Sequence, residues 1–364
     1  MASIEQNLGV GVIGCGYWGP NLVRNFAKQE HARVVSVCDA RYERALKVAG
    51  EFRIDHVTEQ PDALIANPAV DLVIVATPSF SHYELAKRAL EAGKHVLVMK
   101  PLTTRVDHAE ELVSLAERQG VVLAVDHTFV YTGAVRRMRE LVESGELGDI
   151  YYLDSVRINL GLFQADVNVI WDLAPHDISI IDYVLGGELP TEVSAVGASH
   201  AGSPTENIAY VTMRYGPHTL AHVHVNWLAP AKVRRTIIGG SRQMVIYDDM
   251  EPSEKLKIYD KGVTITQQSG TDEVYGQLVS YRSGDMRAPK LDMREALTTE
   301  AEHVLHCIRT GERPRADGQA GLRTVRILEA AQHSIANGSS VVAMMPHAPL
   351  SAVRMPESLT GARA

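Results

Sequence analysis

The residues Gly14-Cys15-Gly16-Tyr17-Trp18-Gly19 carry the spacing G-x-G-x-x-G. That spacing can cradle a pyrophosphate: the first glycine makes a tight turn, the second lets backbone approach the anion, and the third lets a helix pack closely on the preceding strand. The helix N-terminus then points its unpaired N–H groups at the negative charge. Asp39 stands 20 positions beyond Gly19, at the end of a second apolar run. A carboxylate there can accept hydrogen bonds from an adenosine ribose, and together the two features read as a dinucleotide site. The carboxylate also repels a 2′-phosphate, so NAD is expected, with NADP kept as the alternative because Arg41 and Arg44 lie close by. Asp39 can equally cap the helix that follows it.

A second set of residues suits proton chemistry. A nucleotide that exchanges hydride with a carbinol needs beside it a base for the hydroxyl proton and a positive or donor group for the forming alkoxide. Lys100 follows the apolar run 96–99, and a lysine at the carboxyl end of a parallel strand lies beside the crevice where such sheets bind ligands. Asp172 and His176 are four apart in an expected helix, hence on one face, where the carboxylate can fix the imidazole tautomer. His222 and His224 alternate on an expected strand, but no carboxylate or thiolate accompanies them at a matching spacing, so no metal site is expected.

These residues need elements to position them. Apolar runs at 9–13, 34–38, 71–76, 96–99 and 121–125 alternate with amphipathic segments at 18–29, 42–52, 81–92 and 106–119; Trp18, Leu22 and Phe26 form one helical face. Strands apolar on both faces and separated by helices predict a doubly wound parallel sheet of the Rossmann type. After Asp126 come expected helices at 134–144 and 171–185, then alternating strands from 191 to 267, then helices at 293–310 and 322–337. The fold class is thus α/β, with an N-terminal Rossmann sheet followed by an α+β domain built on a large, mostly antiparallel open sheet. The expected division is 1–126 for the dinucleotide, 127–345 for substrate binding and oligomerisation, and 346–364 as a tail. An open sheet face predicts a homodimer or homotetramer.

Composition narrows the function classes. With 364 residues, 45% of them hydrophobic, the chain can form two domains with proper cores. Lysine and arginine total 36 against 44 acidic residues, a formal charge of −8, and the basic residues are scattered, which argues against a nucleic-acid partner. Cys15, Cys38 and Cys307 form no C-x-x-C pair and are odd in number, so neither a disulfide framework nor a thiolate zinc site is expected, and a reducing cytoplasm suits them. No apolar run approaches the roughly 18 residues of a membrane span, and no basic residue precedes the first apolar stretch. A cytoplasmic protein without a membrane partner is expected.

The segments Ala76-Thr-Pro-Ser-Phe-Ser-His82, Ala92-Gly-Lys-His-Val-Leu-Val-Met-Lys100-Pro101 and Trp171-Asp-Leu-Ala-Pro-His176-Asp177, with the glycine loop, carry a resemblance over nearly the whole chain. The sequence resembles the glucose-fructose oxidoreductase, inositol dehydrogenase and rhizopine-catabolism family of NAD(P)-dependent sugar and cyclitol oxidoreductases. The resemblance implies that Lys100 and His176 are the acid/base pair at the reacting carbinol and that Asp172 orients or helps charge the imidazole. It implies further that Tyr17, Trp18, Thr77, Pro78, His82, Met99 and Lys100 line the cofactor, with Thr77 and Pro78 at the nicotinamide. Two positions depart from the family pattern: Met99 stands where a glutamate is usual, and Ala174 where glycine is usual.

Around these motifs, Trp171, Tyr131, Phe163 and Tyr152 are candidates to stack on a sugar ring. Arg157 and Asn168 are candidates for substrate hydroxyl or carboxylate groups, and His127 for the cleft where the chain leaves the first sheet. The leading expectation is a dehydrogenase acting on a secondary hydroxyl, or the ketone, of a sugar, cyclitol, glycoside or nucleotide sugar. The alternatives are an NAD-retaining enzyme that oxidises a sugar transiently to cleave a glycoside, and a non-catalytic sensor of nucleotide and sugar.

Overall fold

The computed structural model describes residues 7–161, 167–267 and 277–344. The first sheet comprises β1 (Leu8–Ile13), β2 (Ala32–Cys38), β3 (His56–Thr58), β4 (Leu72–Val75), β5 (His95–Met99) and β6 (Leu123–Asp126). All its pairs are parallel, in the order β3-β2-β1-β4-β5-β6. This is the doubly wound arrangement in which the strand order reverses between β1 and β4, opening a crevice at the carboxyl ends of the strands. Helices α1 (Gly19–Ala27), α2 (Tyr42–Phe52), α3 (Pro61–Ile65), α4 (His82–Glu91) and α5 (Val106–Gln119) connect the strands. Every residue of β4 is fully buried, which is why its sequence is an unbroken apolar run.

After a short turn at Thr128–Tyr131, the chain forms α6 (Gly133–Glu143), β7 (Ile150–Leu160) and α7 (Val169–Val184). Strands β8 (Glu192–Ala198), β9 (Ile208–Tyr215), β10 (Thr219–Asn226), β11 (Leu228–Gly240), β12 (Met244–Asp248), β13 (Leu256–Gln267) and β14 (Gln277–Arg287) follow. Helices α8 (Ala296–Thr310) and α9 (Gly318–Ala336) and the short β15 (Val342–Ala343) complete the described chain. The second sheet has the order β14-β13-β12-β11-β7-β10-β9-β8-β15, antiparallel throughout except for β7 beside β10. Ala221, Val223, Val225 and Trp227 point into the core, as their alternation predicts. None of the described helices is long and apolar enough to cross a membrane.

The expected strand run from 191 to 267 omits the central strand, β7. Its inward positions past Leu153 are Ser155 and Arg157, both buried, so the apolar alternation that announces a half-buried strand is missing. The C-terminal helices also return to the first sheet. Leu297, Ala301, Val304 and Leu305 of α8 join the core around β1 and β2, and Val125 of β6 donates its N–H to Ala316 O. The tail at 346–364 and Phe163 lie outside the described residues.

Candidate active site

The glycine loop joins β1 to α1. Gly14 has φ +103°, and a Cβ there would stand 2.4 Å from Ala76 O; one on Gly19 would stand 2.0 Å from Gly14 O. Both glycines are thus required by the protein's own packing. Gly16 is different, because the nearest heavy atom to its Cβ position is Arg44 Nη1 at 3.9 Å. Open space at a glycine that the fold itself does not need fits an anion approaching the backbone there. No side chain caps α1, no acidic residue occupies its first turn, and a proline fills N1 or N2, so its N-terminal N–H groups suit a pyrophosphate. Asp39 Oδ2 accepts from Cys15 N at 2.7 Å and Oδ1 from Arg41 N at 2.8 Å, which ties the carboxylate to the loop and to the approach to α2. Tyr17 is 85% exposed and Trp18 46% exposed, edge to face with ring centroids 5.4 Å apart, beside the loop.

The opposite wall rises from the ends of β4 and β5. Thr77 and Pro78 leave β4, and Thr77 Oγ1 accepts from Ser81 Oγ at 2.7 Å. The His82 ring is buried, with Nδ1 2.8 Å from Pro101 O and Nε2 2.9 Å from Thr77 O. Rather than presenting itself to the crevice, this ring clasps the loop after β4 to the loop after β5. Met99 closes β5 and is 8% exposed.

Lys100 extends from that strand end to α7. Its Nζ donates to Asp172 O at 2.6 Å and to Asp172 Oδ1 at 3.0 Å, while Asp172 Oδ2 accepts from Trp227 Nε1 at 3.1 Å. Helical spacing does bring Asp172 and His176 to one stretch of α7, but the carboxylate is occupied by the lysine and the indole instead of the imidazole. His176 is half-buried, its Nδ1 is buried without a partner among the described residues, and its ring lies edge to face with Phe129 at 5.2 Å. Desolvation, followed by the charges of Lys100 and Arg157, holds its pKa well below the ordinary histidine value. The imidazole is therefore neutral, with a ring nitrogen that carries a lone pair.

The other candidates are distributed differently. His127 is 1% exposed, beneath the site rather than in a cleft, and neither ring nitrogen has a partner among the described residues. Burial, with the charges of Arg323 and Lys100, pushes its pKa down to about 3. An unfolded histidine protonates below about 6.5, whereas this one stays neutral until about 3, so stability falls as pH falls through that window. Lowering pH from about 7 to about 5 should cost roughly 2 kcal/mol through this ring alone. Denaturant midpoints of wild type and His127→Gln at both pH values check this, since equal losses in the two proteins would remove the ring as the cause.

Arg157 is buried in an ion pair with Asp177, Nε to Oδ2 at 2.6 Å, and so is not a free substrate ligand. Asn168 caps α7, accepting from Ile170 N and Trp171 N and donating to Glu206 and Gln332, which uses its amide fully. Trp171 and Tyr131 are buried, Tyr131 against Val130 and Ala316, and Tyr152 sits on the outer face of the second sheet against Gly239, so none of the three is placed to stack on a ligand at Lys100. The aromatics that do border the site are Phe129 and Trp227, which the sequence reading did not select; Arg157 and Arg234 lie 4.3 and 5.7 Å from the Phe129 ring centroid. No sequence periodicity marks Phe129, although it stands two residues after His127. Among the described residues no group of three or more His, Cys, Asp or Glu is placed to hold a metal; His222 meets Asp154 at 3.1 Å and His224 stacks on Tyr210 at 4.4 Å.

Comparison with known proteins finds family matches in both parts of the chain. The family model described as "Oxidoreductase family, NAD-binding Rossmann fold" matches residues 8–127, and the GFO/IDH/MocA C-terminal domain model matches 135–246. An uncharacterised oxidoreductase of Escherichia coli, YdgJ, is 30% identical over 69% of this chain and 74% of its own. The scyllo-inositol 2-dehydrogenase (NADP(+)) IolW of Bacillus subtilis is 26% identical over 90% of this chain and 92% of its own. The UDP-N-acetylglucosamine 3-dehydrogenase of Acidithiobacillus ferrooxidans is 29% identical over 86% of this chain and 93% of its own. A solved structure of that enzyme superposes with a TM-score of 0.77 at 26% identity, over 92% of this chain and 99% of the other. A nucleotide loop at the switch point of a parallel sheet, a lysine at the end of β5 and a matching second domain lead to one conclusion: the chain belongs to the Gfo/Idh/MocA family of NAD-binding oxidoreductases.

Proposed function

We propose that the protein is an NAD-dependent dehydrogenase or reductase that moves hydride between nicotinamide and a secondary hydroxyl, or ketone, of a sugar, cyclitol, glycoside or nucleotide sugar. The observation that carries this reading is Lys100 held by Asp172 at the carboxyl end of β5, with neutral His176 one turn further along α7. Relatives named for inositol and for a nucleotide sugar support the substrate class. Bound nicotinamide supplies the hydride acceptor or donor. Lys100 and His176 form the acid/base pair: the imidazole takes up the hydroxyl proton and the ammonium steadies the negative oxygen. Asp172 anchors the lysine through both its carboxylate and its backbone oxygen, and Trp227 anchors Asp172. Gly14, Gly16 and Gly19 cradle the pyrophosphate and Asp39 takes the ribose. Exposed Tyr152, Tyr210, Leu220 and Val196 on the outer sheet face support a homo-oligomer, which a light-scattering mass of one chain would disprove.

The test is nicotinamide absorbance on mixing the protein, assayed first for bound nucleotide, with NAD or NADP and a panel of sugars, inositols, glycosides and sugar nucleotides. Reduction with one member is the expected result. Retained NAD with a cleaved glycoside and no net reduction would replace this reading by the transient-oxidation one.

Asp39→Ser should weaken NAD binding about tenfold and shift preference toward NADP, because it removes a ribose acceptor and an anion that repels a 2′-phosphate. An unchanged ratio of the two dissociation constants would leave Asp39 its loop-tying role alone.

A further inference from the structure

The inner face of the second sheet changes character along two neighbouring strands as it approaches the site. On β7 the inward positions run Leu153, Ser155, Arg157, and their register partners on β11 run Ile238, Thr236, Arg234. The face thus passes from apolar to hydroxyl to guanidinium, with Ser155 Oγ 3.0 Å from Thr236 Oγ1 in the middle row. Both arginines reach the Phe129 ring, their guanidinium carbons 4.3 and 5.7 Å from its centroid, and His176 meets the same ring edge to face at 5.2 Å. Arg234 and the imidazole therefore border one phenyl ring.

Like charges directly opposite each other on adjacent strands are destabilising unless each is compensated. Arg157 is compensated fully, since its side chain is 4% exposed and its Nε donates to Asp177 at 2.6 Å. Arg234 is not. Its side chain is 34% exposed, and its bond to a carboxylate, Nη1 to Asp249 Oδ2, is 3.3 Å long. That carboxylate also accepts from Tyr247 Oη at 3.2 Å and from Lys255 Nζ at 3.4 Å. Among the described residues no acceptor binds Nε or Nη2 of Arg234. Over these ion pairs Lys100, Arg157, Arg234 and Lys255 face Asp172, Asp177 and Asp249, which leaves a positive charge in excess.

We infer that Arg234 determines specificity: its guanidinium receives an anionic substituent, a carboxylate or a phosphate, of the sugar or cyclitol whose carbinol lies at Lys100 and His176, a role that rests on the dehydrogenase reading. A guanidinium presents parallel N–H groups that match either anion, and Nε with Nη2 supply that edge here. The substrate's charge compensates the row in which two arginines face each other, while Phe129 offers an apolar surface to the ring between the two polar ends. Seating the anion also tunes the base. Burial, with the charges of Lys100 and Arg157 and more weakly that of Arg234, holds the His176 pKa down. An anion on Arg234 offsets one of those charges and makes the imidazole a stronger base once substrate is in place.

Calorimetric titration of the protein saturated with NADH tests the subsite by binding alone, so its failure is read separately from that of the absorbance assay. The probes are D-glucose, D-glucuronate, D-glucose 1-phosphate and UDP-glucose, one ring carrying no charge, a carboxylate, a phosphate or a diphosphate. At least one charged probe should bind about tenfold or more tighter than glucose, and which one does so separates a sugar acid from a sugar phosphate and a nucleotide sugar. Arg234→Gln should remove that margin and leave the Kd for NADH within about twofold, whereas Arg234→Lys, which keeps the charge without the planar fork, should retain part of it. Arg235→Gln changes the next residue of the strand, exposed on the opposite face, and should leave the margin as it is. A margin that survives Arg234→Gln overturns the inference. So does a wild type that binds the charged probes no better than glucose, a comparison that needs no variant to fold.

Discussion

Lys100→Met is expected to lower kcat by about a hundredfold or more while leaving the Kd for NAD within about twofold of wild type. Methionine matches the reach of the lysine stem but offers neither a charge nor a donor. The ammonium donates two bonds to Asp172, which fix its position at the end of β5 before any substrate arrives. Loss of a preorganised donor at a forming alkoxide is worth about 3 kcal/mol, and a hundredfold in rate corresponds to about 2.7 kcal/mol. The nucleotide contacts proposed above lie mainly elsewhere, at the loop after β1 and at Asp39 at the end of β2, so cofactor affinity is expected to change little. Asp172 keeps its bond from Trp227 and is 22% exposed, which lets water take the place of the lost ammonium. Steady-state turnover and a direct NAD titration on the same preparation separate the two effects. Unchanged turnover would remove Lys100 from the mechanism.

How far the sequence revealed this site depends on the range of the interactions. The central strands β4 and β5 are buried on both faces and so appear as continuous apolar runs, and the glycine loop and Lys100 are placed by their position at strand ends. The partner of Asp172 was not legible in the same way. Helical spacing pairs it with His176, four residues away, but folding brings an ammonium 72 positions distant and an indole 55 positions distant to its oxygens. Asn168 shows the same limit: a polar residue near a motif can be a ligand or a cap, and what decides is Gln332, 164 positions along the chain. No periodic pattern reports such pairs, because period reports which face is buried and not what lies against it.

Arg157 extends that lesson to the core and gives the largest expected effect on stability. It sits on the central strand of the second sheet, with a side chain 4% exposed, and its partner Asp177 is 2% exposed on α7, next in sequence to His176. Asp177 Oδ1 also accepts from Ser155 Oγ at 2.8 Å, Ser155 Oγ lies 3.0 Å from Thr236 Oγ1, and the guanidinium stacks on Phe129. Arg157→Met leaves a buried carboxylate with one hydroxyl donor, which should cost about 3–5 kcal/mol, whereas replacing both charges by apolar groups of similar volume is often close to neutral. Arg157→Met should therefore lower the denaturant midpoint sharply, and Arg157→Met with Asp177→Leu should recover most of that loss. Because the pair fixes α7 against the sheet, and α7 carries Asp172 and His176, the single variant should also lose turnover before it loses NAD binding. A single variant of normal stability with a raised substrate KM would instead make Arg157 the substrate ligand that its position in the sequence suggested.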